Sequence, residues 1–272
     1  MIKTKFEGKQ VFEVPKSIPT ANYLAEDFGK EVNQEVQSKY KDFSAINKIG
    51  YSGNFVKGSN PFYVVAVNEV IRPEGLSTAT PADLERILKT KALDLKRFYE
   101  DSALVLRSDN EPNQYLARKL IKELKSINPK AKLPVMIHLN QLDLVKDQDS
   151  QHGLAFKLRE DTEIIYAPIL NKETGNFSSE DIDEKTGLPK KLGGGNRTLY
   201  TMKNGLARLC LDRDLGLYSR DVGLAYSYGL GRVVVVSGEA TKNFSNEYKI
   251  AREDYFSKLR RIKENIDKEL NK

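Results

Sequence analysis

Four consecutive β-branched residues at 233–236 close a stretch, 193–238, that holds nine of the chain's eighteen glycines. Side chains of a strand alternate between its two faces, so an unbroken Val run argues for a strand buried on both sides. The glycines before it fall within a near-repeat, RDLGLYS, RDVGLAYS and YGLG over 213–231. They supply backbone that turns with positive φ or lies close against another group. Polar turns therefore lead straight into core, which suits a site carried on a rigid element.

With 272 residues, 39% of them hydrophobic, the chain can bury the core of one large domain or two small ones. Its apolar runs at 63–67 and 233–236 fall far short of the roughly 20 residues of a membrane helix. The charged start MIKTKFEGK has no apolar segment of the signal-peptide kind. A cytoplasmic protein without membrane contact is expected. Cys210 is the single cysteine, so one chain forms neither an internal disulfide nor a cysteine-based zinc site.

Helical spacing marks four segments. Residues 19–40 carry Leu24, Phe28, Val32, Val36 and Tyr40 at intervals of four. Thr80, Pro81 and Asp83 form a hydroxyl cap, a first-turn proline and an acid near the positive end of the dipole, for a helix running towards Leu95. A third helix from about 112 sets Leu116, Leu120, Leu124 and Ile127 on one side and Arg118, Lys122 and Lys125 on another. The last, over 239–270, repeats Phe244, Tyr248, Ala251, Tyr255, Leu259, Ile262, Ile266 and Leu270 in steps of three and four, a heptad-like seam. Strands are expected at 62–71, 103–107, 134–139, 153–158, 162–170, 205–211 and 232–236. The pattern predicts an α/β fold with a mixed sheet, βαβ units in the first half, a hairpin-rich second half and a long C-terminal helix. Residues 1–240 then form one mixed α/β domain with a surface loop at 171–197, and 241–272 form the C-terminal helix.

The net charge of +6 is regional. Residues 86–132 carry twelve bases and six acids, residues 241–272 nine bases and six acids, and the remainder is net acidic. Such a local excess attracts polyanions or acidic surfaces, and it also keeps ordinary proteins soluble. On this ground Arg118, Lys119, Lys122 and Lys125 are candidate anion contacts. So are Ser237, Gly238, Thr241 and Lys242, where a strand, a short turn and a helix start would aim backbone amides at an anion. A plain cap and turn at Ser237–Gly238 explains the same residues. No GxxxxGKS loop occurs, and the GLG of 229–231 precedes its strand where a dinucleotide fingerprint must follow one, so no nucleotide-cofactor motif is present.

Asp212, Asp214 and Asp221 are candidate ligands for Mg²⁺ or Ca²⁺: an extended 205–214 puts Arg208, Asp212 and Asp214 on one face, and the next turn brings up Asp221. The DRDLG motif is not an EF-hand, since its glycine comes one place early and the twelfth position is Gly223 instead of glutamate. Surface ion pairs with the neighbouring arginines are the alternative. A third grouping would gather Arg72, Glu74, Arg107, Ser108, Asp109 and Asn110 with Ser237 at one sheet edge. Asp109 and Asn110 serve equally as helix-start residues. His138 in VMIHL reads as a core or edge residue and His152 as a turn residue, and no Ser or Cys motif completes a hydrolase triad.

Three function classes follow. The first is a non-catalytic binding protein that meets nucleic acid or an acidic partner through its basic helices. The second is an enzyme for a phosphorylated or carboxylated small molecule, assisted by Mg²⁺. The third is an assembly protein that pairs its C-terminal seam with a second copy, forming a homo-oligomer.

Overall fold

The computed structural model describes residues 2–6, 9–14 and 21–237. They fall in two compact units. In the first, β1 (Ile2–Phe6) and β2 (Lys9–Val14) form an antiparallel hairpin with Ile2 opposite Val14 and Phe6 opposite Lys9. The C-terminal helix expected at 241–272, with its seam, lies outside the described residues, as do Gly238, Thr241 and Lys242.

The second unit opens with β3 (Ala21–Tyr23), α1 (Glu26–Tyr40), α2 (Ser44–Asn47), β4 (Gly50–Ser52), β5 (Phe55–Lys57), α3 (Pro61–Ile71), β6 (Leu76–Thr78) and α4 (Pro81–Thr90). It continues through β7 (Tyr99–Leu106), α5 (Gln114–Ile127), β8 (Val135–His138), β9 (Leu142–Lys146), β10 (Leu154–Leu158), β11 (Ile165–Tyr166) and β12 (Gly175–Phe177). The last strands are β13 (Arg197–Tyr200), β14 (Leu206–Leu211), β15 (Leu217–Asp221), β16 (Gly231–Arg232) and β17 (Val234–Ser237). The principal sheet is mixed and runs β11-β8-β7-β14-β15-β13-β12, with β16 beside one end of β7. A smaller sheet, β3-β17-β6, buries the Val run on both faces, as its composition demands. At Val233 the chain passes from the large sheet to the small one.

Two expectations about the first half are corrected. The run at 62–71 is the helix α3, not a strand. A short apolar run fits a buried helix as well as a buried strand, and here the preceding residues decide. Asn60 accepts the amide of Tyr63 at 2.8 Å and Pro61 takes the first turn, so the segment starts as a capped helix. It is apolar over most of its circumference and nine of its eleven residues are buried. The expected βαβ crossover at 103–139 is instead a wide hairpin. Leu106 at the end of β7 lies opposite Val135 at the start of β8, so α5 and residues 128–134 return the chain to the end it left. The parallel pairs among the described strands are β13 with β15 and β16 with β7.

The segment 171–197 also departs from a plain surface loop. Its β12 extends the sheet, and Phe177, Ile182 and Leu188 join the core beneath α4. Gly187, at φ +69°, lies so close that a Cβ would sit 2.3 Å from the Pro81 carbonyl carbon. On that face of the large sheet Ala103, Val105, Leu209 and Leu211 meet Leu84 and Ile87 of α4. Leu104 and Leu106 alternate to the opposite face, where α3 and α5 pack on β7.

Candidate nucleic-acid interface

A β-bulge sets up the charged centre of this second face. The register of β7 with β14 runs regularly from Leu206–Leu106 to Leu209–Ala103, then shifts so that Cys210 faces Asp101. The extra residue, Ser102, reverses the alternation. Asp101 is thereby turned to the side of Arg208, while Glu100, opposite Leu211, points to the other side. Arg208 is buried with its guanidinium 3.4 Å from Asp101. It also binds Asp221, its cross-strand neighbour on β15, through Nε and Nη2. Ser59 donates to the second oxygen of Asp101 at 2.6 Å, and the face of Tyr99 lies 5.3 Å from the guanidinium.

The cluster holds down the loop 222–230. Arg208 Nη1 donates to the Tyr226 carbonyl at 3.2 Å, and the Tyr228 amide donates to the Tyr99 hydroxyl at 2.9 Å. Asn60 Nδ2 donates to the Ala225 carbonyl at 3.2 Å and Asn113 Nδ2 to that of Val222 at 2.9 Å. Leu224 is buried, yet Val222, Tyr226, Tyr228 and Leu230 are exposed. The loop is thus fastened by its backbone and by Leu224, leaving both tyrosine rings in solvent.

Asn113 also begins α5, whose apolar Leu116, Ala117, Leu120 and Leu124 are buried. The opposite side carries Tyr115, Arg118, Lys122 and Lys125, spaced three, four and three apart and therefore on one stripe. Arg118, Lys122 and Lys125 are exposed, and no carboxylate pairs with any of them among the described residues. Lys119 differs: it bonds Asp147 at 2.5 Å, an acid that also accepts the Tyr115 hydroxyl at 3.0 Å. That bond holds the Asp147 carboxyl below its ordinary range. Of the four helical cations expected at an anion contact, three are free and Lys119 is already engaged.

The remaining expected residues do not converge. Asp212 and Asp214 sit in the β14–β15 turn, where Asp214 accepts the Gly216 amide, whereas Asp221 is at the far end of β15 as the counter-ion of Arg208. The strand ends at Leu211, so the shared face assumed for Arg208, Asp212 and Asp214 does not form. Among the described residues no group of three His, Cys, Asp or Glu side chains could hold a metal ion. The third grouping fails with the strand at 62–71. Arg72 leaves the end of α3 to bind Asp143 at 3.1 Å, and Glu74 is exposed in the following turn. Arg107 turns inward to the carbonyls of Leu170 and Ser219, and Ser108 accepts the Gly205 amide. Asp109 and Asn110 are exposed, and Ser237 is a buried residue of β17 in the other sheet. Burial lowers the Arg107 pKa to about 10, so it stays a cation at neutral pH. His138 is buried on β8 and His152 packs edge-on to Phe62 at 5.3 Å. Burial depresses both imidazole pKa values.

Two further features were not anticipated. An open groove of about 1320 Å³ lies between α4 and the 171–197 segment. Leu88, Leu93, Ile182 and Leu215 line it, and the bidentate pair of Arg197 with Glu85 forms its base. On the same face of β7, Glu100 is buried beside Arg232, and neither carboxyl oxygen finds a hydrogen bond among the described residues. Burial first, and the charge of Asp101 second, push its pKa well above the ordinary value. The signal for the Arg208 cluster was a charge inside an apolar strand, as in LARLCL and YEDSALVL. Their pairing depends on a bulge that local spacing does not announce.

No protein-family model, curated protein or solved structure matches the chain. The geometry of the chain itself is therefore the ground for its function. Among the described residues no helix is long and apolar enough to cross a membrane.

Proposed function

We propose that this chain is a non-catalytic binding protein that docks on the phosphate backbone of nucleic acid through the exposed stripe of α5. The observation that supports this reading is the trio Arg118, Lys122 and Lys125, exposed on one stripe with no described acid to neutralise it. Lysines and arginines so placed gain from phosphates chiefly by releasing condensed counterions, which requires neither a pocket nor base contacts. Two of the neighbouring acids, Asp147 and Asp221, support a binding role in another way, since they are occupied by Lys119 and Arg208. They neither repel phosphate freely nor stand ready as general bases.

Arg118→Glu, Lys122→Glu and Lys125→Glu together should abolish binding to unrelated nucleic-acid sequences alike. Single changes to Ala should each reduce the slope of log affinity against log salt by roughly 0.7–0.9. Binding by the wild type that is insensitive to salt, or unaffected by the triple change, refutes the reading. The groove beside α4 supports a second reading, a site for a small carboxylate or phosphate with an apolar body. Leu88, Leu93, Ile182 and Leu215 line the groove together with Lys91, Lys96 and Lys185. Calorimetric titration with a medium-chain fatty acid, repeated on Lys91→Glu with Lys96→Glu, tests it; no heat with the wild type removes it.

A further inference from the structure

We propose that the loop 222–230 is a stacking platform for the bases of a single strand whose phosphates run along α5, an inference that rests on the backbone-binding reading above. Tyr226 and Tyr228 are 57% and 55% exposed in a loop whose backbone is bonded to Arg208, Tyr99 and Asn60. Their centroids are 4.7 Å apart with planes inclined by 58°. The two rings are thus tilted against each other and not stacked face to face. Exposed Val222 and Leu230 bracket the rings in sequence, so the loop carries four exposed apolar or aromatic side chains. Tyr228 meets Tyr99 edge-on at 6.4 Å, yet more than half of each ring's residue surface stays exposed, and an exposed apolar patch on fastened backbone marks a contact surface.

Two elements bring cations to the Val222 end of the platform. In one, Asn113, which begins α5, is bonded to Val222, so the stripe of Tyr115, Arg118, Lys122 and Lys125 starts at the foot of the loop. In the other, Arg220 lies two residues before Val222, with its guanidinium 4.9 Å from the ring centre of Tyr200 and 5.2 Å from that of Tyr218. Aromatic faces interleaved with unpaired cations match a chain of bases on a polyanionic backbone. A duplex meets only half of this chemistry, since its base faces are already stacked on one another. The cations offer nothing comparable to a neutral apolar protein surface, so charge complementarity favours the single strand.

The test compares a single-stranded oligonucleotide of about 15 nucleotides with a duplex of the same length in low salt. The chain has thirteen tyrosines and no tryptophan, so the part of the tyrosine quenching lost in Tyr226→Ala with Tyr228→Ala reports stacking on these two rings. The wild type should prefer the single strand and quench on binding it. Tyr226→Ala with Tyr228→Ala should weaken single-strand binding about 5- to 150-fold for each stacked base lost, from a per-base stacking worth of roughly 1–3 kcal/mol. Duplex binding should be unchanged, and Tyr226→Phe with Tyr228→Phe should retain the preference. Equal affinities for the two forms, or an Ala variant that binds the single strand like the wild type, overturn this inference and leave the backbone reading standing. No binding of either form by the wild type defeats both.

Discussion

Replacing Arg208 by Met keeps most of the side chain's volume and removes its charge, which isolates the electrostatic work of the buried cluster. The Asp101 side chain is 0% exposed and that of Asp221 27%. Loss of the guanidinium therefore strands Asp101 without a counter-ion, while water still screens Asp221. Removing one partner of a buried ion pair costs about 3–5 kcal/mol, and the Asp221 contact adds little because that acid is partly solvated. For a domain of this size each kcal/mol moves the midpoint by about 2–4 °C, so the variant should melt roughly 6–20 °C below the wild type in calorimetry near neutral pH. The opposite change should be milder, because in Asp101→Asn the Arg208 guanidinium keeps Asp221 and the Tyr226 carbonyl. The double variant should recover much of the loss of Arg208→Met, since it no longer buries a bare carboxylate. A shift under about 2 °C for Arg208→Met, or a double variant as unstable as the two single losses added, would refute the assignment of Arg208 as the compensating charge.

Glu100→Gln should stabilise the protein at pH 8 and have little effect near pH 4. The folded-state pKa of Glu100 is raised above its ordinary value, so the folded state favours the protonated acid and stability falls as pH rises through that pKa. Identical stability–pH curves for variant and wild type would contradict the burial of an acid that no hydrogen bond satisfies among the described residues. Gly187→Ala should undock the 171–197 segment, because the φ of +69° strains any Cβ and the Pro81 backbone occupies its place; strain alone costs roughly 1–3 kcal/mol. Trypsin should then cut at Lys185, Lys190 or Lys191 sooner than in the wild type. Asn60→Ala removes the cap of α3 and the donor to the Ala45 and Ala225 carbonyls, a loss of about 2–4 kcal/mol in chemical denaturation. Hydrogen exchange should rise at the amides of the 222–230 loop.

Elements with a strong local signal were legible without coordinates. Thr80, Pro81 and Asp83 spell out the start of α4, and the structure has the full reciprocal cap there. The four-residue spacing over 19–40 marked α1, although the chain first pairs Ala21–Tyr23 with β17 before turning helical. The segment 62–71 has a weak amphipathic signal because nearly every side of α3 is enclosed. Its cap residue, Asn60, and Pro61 in the first turn distinguish helix from strand.

The candidate interface divides along the same line. The basic stripe of α5 followed from helical spacing alone, since residues three and four apart must share a face. That Lys119 is engaged while Arg118, Lys122 and Lys125 remain free was decided by Asp147, which packing brings against the helix from 28 residues away. The near-repeat at 213–231 announced turns, but not that one of them would be fastened to Arg208 with its tyrosines outward. Local periodicity determines which residues share a face because it depends only on backbone geometry. Which acids meet which bases, and which rings stay in solvent, depends on strand register, bulges and loops distant in sequence. Those were set only when the β7–β14 pairing slipped by one residue and turned Asp101 towards Arg208.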